Sequence, residues 1–333
     1  ESLKELGKIL FKNIIKEEIL DLFNVTIGQS IKNGQDILIR LMIGSDFLNI
    51  VPWELFFEKE RYLCHIYDIV RHPFSLQPVR RPSKSNQKPK LLFIGANPEG
   101  AFVNIKESQE VIENIFNQTY KKDESDSNKV DHKFDFHKII GEECTYKEIA
   151  NKIYDGIDIL HFLGHGKCER IGKSLKYFFI IHSEKNPKNP EKLPVEMLES
   201  FCRANPMRLA ILNACNSDYA LTYQDNESIK KILKQSSNDD YYSMAHALLK
   251  TGVPCVIGMS HRISKPGAAI LTRRLYRAII EREECVNRAI ILIRLELFAH
   301  AETDMGLIYP SDWLTPILYL RGQSYVDGFI CSI

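Results

Sequence analysis

A chain of 333 residues, 44% hydrophobic and 26% charged with a formal net charge of +1, carries enough apolar sequence for a sizeable buried core. That balance gives no electrostatic case for direct nucleic-acid binding or for a membrane surface as partner. No apolar run approaches the roughly 18–20 residues of a membrane span, so a soluble protein of one large or two modest domains is expected.

From the N-terminus, Leu3, Leu6, Leu10 and Ile14 recur at helical spacing among lysines and glutamates, which predicts an amphipathic helix over 1–23. Asn33-Gly34 signals a turn, and DILIRLMIG (36–44) reads as a strand. VPWELFF (51–57) and YLCHIYDIVRH (62–72) read as a strand pair or hairpin. The polar, basic, proline-containing RRPSKSNQKPK (80–90) marks a boundary. It divides an N-terminal helix-and-strand subdomain (1–80) from a core (91–333), with a linker over 81–90.

Beyond Lys90 strands alternate with helices. LLFIGA (91–96) is a buried strand, followed by a helix carrying Val111, Ile112, Ile115 and Phe116. KKDESDSNKVDH (121–132) is a solvated loop, and FDFHKII (134–140) a strand. Thr145 with Glu148 forms a capping box for a helix with Ile149, Ile153 and Tyr154 on one face. IDILHFLGHG (157–166) and LAILNAC (209–215) are buried strands, with strand-like YFFIIH (177–182) and a helix near 194–203 between them. SMAHALLKTG (243–252) reads as a helix, VPCVIGM (253–259) as a strand, 267–282 and 284–299 as helices, and ILYL (317–320) as a last strand. Strands separated by amphipathic helices predict an α/β fold: a mostly parallel sheet with helices on both faces.

Two of those strands end in reactive side chains. His165 closes one and Cys215 the other, and parallel neighbours bring such ends together on one sheet edge. A thiol becomes a nucleophile as the thiolate, which an adjacent imidazole supports. Gly166 lets its backbone N–H approach a carbonyl oxygen unobstructed, and with the N–H of Cys215 would form an oxyanion hole. His161 packs within the sheet. Each residue alone reads better as structural, a cysteine as a small hydrophobe above all. The joint pattern favours a His/Cys pair. Zinc on His165, Cys168 and Cys215 lacks a fourth ligand at standard spacing, so neither metal nor cofactor is expected. FIGANPEG has neither dinucleotide-binding nor P-loop spacing, which leaves nucleotide sensing the weakest reading.

The eight cysteines are scattered without a CxxC pair, which suits reduced thiols in a cytoplasm. No signal peptide is present, and a start at Glu1 suggests a piece of a longer protein.

DILHFLGHG, LAILNACNS, SMAHALLKTGVPCVIGM, LTRRLYRAI and SDWLTPILYL together resemble the CHAT domain, a separase-related branch of the caspase-like (clan CD) cysteine peptidases. LGKILFKN and VPWELFF resemble its start, so the likeness covers nearly the whole chain. His165 and Cys215 stand 50 residues apart, near the caspase spacing. The resemblance implies a caspase-like fold and peptide-bond hydrolysis of a protein substrate. His165 would be the catalytic histidine, Cys215 the nucleophile, and the Gly166 N–H part of the oxyanion hole. Bacterial relatives often end larger proteins with helical repeats or sensing domains, several in defence systems including CRISPR-associated ones. An activating partner or upstream sensing domain is therefore implied. The alternative is a catalytically silent interaction module.

By the same resemblance, the pocket for the residue before the cut would involve Asn97 and Glu99, Asn213, and Ser260, His261 and Arg262. Their charges conflict, so the preference stays open at this level. Two departures bear on specificity: Asp218 stands where relatives commonly have glycine, and SHRISKPGAA follows VIGM where relatives often carry aspartate. The long polar segment 216–242 reads equally as a regulatory loop or as a surface insertion.

Overall fold

The computed structural model describes residues 2–44, 48, 51–73, 88–100, 105–120, 134–172, 174–214, 243–282, 284–303 and 308–321. Two helices open the chain, α1 (Ser2–Ile14) and α2 (Glu17–Asn33), where the pattern predicts one. The break falls at Lys16, whose backbone is extended, and α2 ends at Gly34 in the left-handed region at φ 64°. The second helix is hidden in the sequence because Val25, Thr26, Ile27 and Gly28 are weak helix formers. It docks through Leu20 and Phe23, so tertiary contact overrides propensity.

The next stretch departs from the strand-pair expectation. β1 (Leu38–Ile43) is followed by a 3-10 turn at Trp53–Leu55, not a strand. β2 (Phe57–Glu58) and β3 (Arg61–Tyr62) form a minimal hairpin closed by Lys59 and Glu60, both at positive φ (48° and 62°). β4 (Asp68–Pro73) then pairs parallel to β1. Trp53, Leu55, Phe56 and Phe57 are all buried, so the run is apolar because of burial. A continuous apolar run cannot by itself tell a strand from a buried turn.

The remaining order is β5 (Lys90–Gly95), α3 (Ile105–Tyr120), β6 (Asp135–Ile140), α4 (Tyr146–Tyr154), β7 (Ile159–Ile171), β8 (Ser174–His182), β9 (Pro190–Pro194), α5 (Leu198–Ala204) and β10 (Leu209–Ala214). α6 (Met244–Lys250), β11 (Cys255–Met259), α7 (Lys265–Tyr276) with a π-helical extension (Arg277–Glu281), α8 (Val286–Thr303) and β12 (Pro316–Leu320) follow. Thr145 caps α4 by accepting from the Glu148 N–H, as the capping box predicts. The loop expected over 121–132, most of the linker (81–87) and the segment 216–242 lie outside the described residues.

Among the described residues one ten-stranded sheet runs β1-β4-β12-β11-β10-β7-β5-β6, with β8 and β9 continuing from β7. β11, β10, β7, β5 and β6 are mutually parallel; β12 is antiparallel to β11 and parallel to β4. Helices cover both faces. α1, α3, α7 and α8 close one core, and α4, α5 and α6 close the other. Alternation along β10 shows why: Leu209 and Ile211 enter the first core, Ala210, Leu212 and Ala214 the second. No helix among the described residues is long and apolar enough to cross a membrane.

A buried ionic cluster ties the N-terminal elements in. Arg71 of β4 donates from Nε and Nη2 to the Glu54 carboxylate (3.2 and 2.6 Å), and Arg294 of α8 donates to the Pro316 carbonyl (2.9 Å) with Glu54 3.8 Å away. Burial alone would push Glu54 up, but the two guanidiniums hold its carboxyl below the usual range.

Candidate active site

β7 is central to the site and does two jobs. Its first half lies between β5 and β10, with Gly95 opposite Leu163 and Ala214 opposite Gly164. From His165 onward it pairs antiparallel with β8, His165 facing Ile180 and Gly166 facing Phe179. His165 therefore sits at the changeover within a longer strand, not at a strand tip. The sequence hides this, because KCERI continues the strand without an apolar signal. Gly164 is required at the bend: a Cβ there would lie 2.7 Å from the Ala96 carbonyl oxygen and 2.9 Å from the Phe162 ring.

The His165 side chain is half-buried, and its Nε2 is enclosed without a hydrogen-bond partner among the described residues. Cys215 lies outside the described residues; the last one before it, Ala214, is the register partner of the residue before His165. Gly166 packs close to the start of α6. A Cβ on it would meet Met244 Cε at 2.7 Å and Ala214 Cβ at 3.8 Å. Ser243, which caps α6 by accepting from the His246 N–H, holds Met244 there.

Two other candidates are placed by the core. His161 is fully buried, with Nδ1 2.9 Å from the Tyr276 hydroxyl, and burial pushes its pKa down to about 3. It packs within the sheet, as its place in an apolar run predicts. Cys168, from the zinc alternative, faces Tyr177 and packs against the second core.

A small cavity opens beside the strand ends, lined by Gly164, Asn213 and Ala214 from the sheet and by His261, Arg262 and Lys265 leading into α7. Asn213 is 6% exposed, and its Nδ2 meets no hydrogen-bond partner among the described residues. Arg262 is exposed. His261 lines the cavity, but its ring nitrogens are engaged elsewhere: Nδ1 with Ser260 Oγ (2.8 Å), Nε2 with Thr315 Oγ1 (2.9 Å) and the Ser311 carbonyl (3.2 Å). Burial lowers its pKa. Ser260 reaches the Leu314 and Thr315 carbonyls and is not among the lining residues. Asn97 and Glu99, in the turn after β5, do not line the cavity either. Of the residues expected to choose the substrate, Asn213, His261 and Arg262 come together.

Sequence reading missed the opposite wall, formed by Glu107 and Ser108 of α3 and by Ala268 and Ala269 of α7. The available signal was small side chains on core-facing positions: Ser108 shares the α3 face with Ile112 and Ile115, leaving space where a larger residue would fill it.

The family model of the CHAT domain matches residues 1–296. No curated protein matches the chain. Among solved structures, the Arg-specific cysteine proteinase gingipain R aligns with a TM-score of 0.51 at 11% identity, covering 96% of this chain and 66% of that one. Separase in the Saccharomyces cerevisiae separase–securin complex aligns with a TM-score of 0.44 at 11% identity, covering 86% of this chain and 15% of that one. The chain thus spans about two thirds of the gingipain structure and under a sixth of the separase one. The likeness to gingipain is one of fold: a mostly parallel central sheet flanked by helices, the caspase-like arrangement.

Proposed function

Since the chain belongs to the CHAT domain family, we propose that it is a cysteine endopeptidase acting on a protein substrate. Cys215 gives up its thiol proton to His165 and attacks the scissile carbonyl carbon. The resulting oxyanion is held by the N–H groups of Gly166 and Cys215. Collapse breaks the C–N bond, and His165 returns the proton to the departing amine. Water, deprotonated by His165, then hydrolyses the thioester and restores the thiol.

One observation carries this reading. The pairing of Ala214 with Gly164 delivers the chain leading into Cys215 alongside His165, whose enclosed Nε2 meets no partner among the described residues. His161 Nε2 is enclosed without a partner as well, so position distinguishes His165: it follows Gly164, the register partner of the last described residue of β10, and a neighbouring thiol would satisfy its ring nitrogen. The family setting extends the proposal: the chain forms the effector part of a larger, regulated bacterial defence protein in the cytoplasm, CRISPR-associated systems being one such setting. A recognition event, through an activating partner or an upstream sensing domain, would switch it on.

Labelling with a peptide electrophile tests the chemistry. Wild type should form an adduct on Cys215, Cys215→Ala should form none, and His165→Ala should react roughly 10²–10⁴ times more slowly. Equal labelling of wild type and Cys215→Ala with an activator present would sink the peptidase reading and leave a silent interaction module.

A further inference from the structure

The cavity beside the strand ends bears on which residue precedes the cut, and the inference drawn from it rests on the peptidase reading above. Its volume is about 60 Å³, several times the roughly 10–15 Å³ that one water needs by the same measure and well under the roughly 150 Å³ of a cavity that takes a benzene ring. A short side-chain end fits that space; an aromatic ring does not. Leu163, Met259 and Ala268 give it apolar walls.

Asn213 supplies its buried polar group. An amide N–H enclosed without an acceptor is costly, and an oxygen entering the cavity relieves that cost. Charge then chooses among oxygens. Glu107 and Lys265 line the cavity with one charge of each sign. Arg262, exposed at the same rim, has no ion pair or hydrogen bond among the described residues and is the charge left over. The ring of His261 is neutral, because burial lowers its pKa. At the start of α7, Ser264 donates its N–H and hydroxyl to Asp312, and the Gly267 N–H goes to Ser264 Oγ. The preference therefore stands on Asn213 and Arg262.

We infer that this cavity takes a residue whose short side chain ends in an acceptor oxygen, aspartate first and asparagine second. The Asn213 amide donates to either, and Arg262 favours the one that carries charge. Leucine would seal the amide N–H away without a partner, and lysine would bring a second positive charge to Arg262.

Four acyloxymethyl ketone peptides that differ only in aspartate, asparagine, leucine or lysine at the terminal position test this, with adduct formation on Cys215 followed by mass spectrometry. Aspartate should react fastest, with asparagine next and both at least roughly tenfold ahead of leucine and lysine. Asn213→Asp should bring lysine to the top of the order. Arg262→Ala, a change at an exposed position, should lower the aspartate rate to that of asparagine. Leucine or lysine reacting fastest with wild type, or an order unchanged in both variants, overturns the inference and leaves the peptidase reading standing. If no probe marks Cys215, both fall together.

Discussion

Gly166 separates packing from chemistry at the scale of one residue. A Cβ there would press on Met244 Cε at 2.7 Å, but that methyl is the free end of a flexible side chain and can move aside. Gly166→Ala should therefore cost about 1 kcal/mol of stability or less. On the peptidase reading the same methyl would stand beside the N–H that receives the oxyanion, and labelling of Cys215 should slow roughly 10²–10³-fold. Adding Met244→Ala makes room for the methyl without restoring the oxyanion site, so the rate should stay low. Recovery of the rate in the double variant would make Gly166 a packing device only. Cys64 and Cys144 do not compete for the label: burial pushes their thiols up to about 12, where little thiolate forms at neutral pH.

At the scale of elements, legibility followed the kind of signal. β5, β10 and β11 are buried on both faces, so their near-continuous apolar runs read directly as parallel strands. The cap of α4 and the Gly34 terminus were readable because both depend on local chemistry. What failed depended on distant partners. The Trp53–Leu55 turn looks like a strand because its aromatic neighbours Phe56 and Tyr62 pack against Phe11 of α1 and Phe298 of α8, and β7 runs past His165 because β8 folds back on it. The cavity was half legible: Asn213 and Arg262 flank recognisable strand ends, whereas Ser108 and Ala268 join it through helix packing alone. Glu54 was equally invisible, since nothing nearby in sequence marks it as the counter-charge of Arg71 and Arg294. Removing it takes away the carboxylate that both buried guanidiniums face, so Glu54→Ala should lose about 3–5 kcal/mol. Urea unfolding measures this directly, and a loss under about 1 kcal/mol would show that the cluster does not anchor the turn.

Across the whole molecule, one ten-stranded sheet of the described residues carries both cores, and histidines pack in or beside those cores as neutral rings: His161 in β7, His246 in α6 and the half-buried His65 in the turn before β4. His65, His161 and His246 are pushed down by burial to about 4, 3 and 3. Arg294 adds to the effect on His65, and Arg71 and Lys250 to that on His246, while His161 faces the Tyr276 hydroxyl. A group with a depressed folded pKa binds its proton more readily in the unfolded chain, where histidine titrates near 6.5. Stability is therefore fully present above pH ~6.5 and falls as pH drops toward the folded values, by up to about 1.4 kcal/mol per pH unit for each ring. Asp68 and Asp312 act in the opposite sense, because burial raises their carboxyls and the fold then holds protons that the unfolded chain releases. His72, His137 and His261 are also lowered, so histidines outnumber the opposing carboxyls. The melting temperature should fall steadily from pH 7 to pH 5, before most carboxylates titrate. His161→Phe should reduce the pH slope by about one proton, whatever it does to absolute stability, because it removes one ring from the linkage. A melting temperature flat from pH 7 to pH 5 would mean that these rings are protonated in the fold, and their aromatic and aliphatic surroundings would then have to hold charge that they cannot compensate.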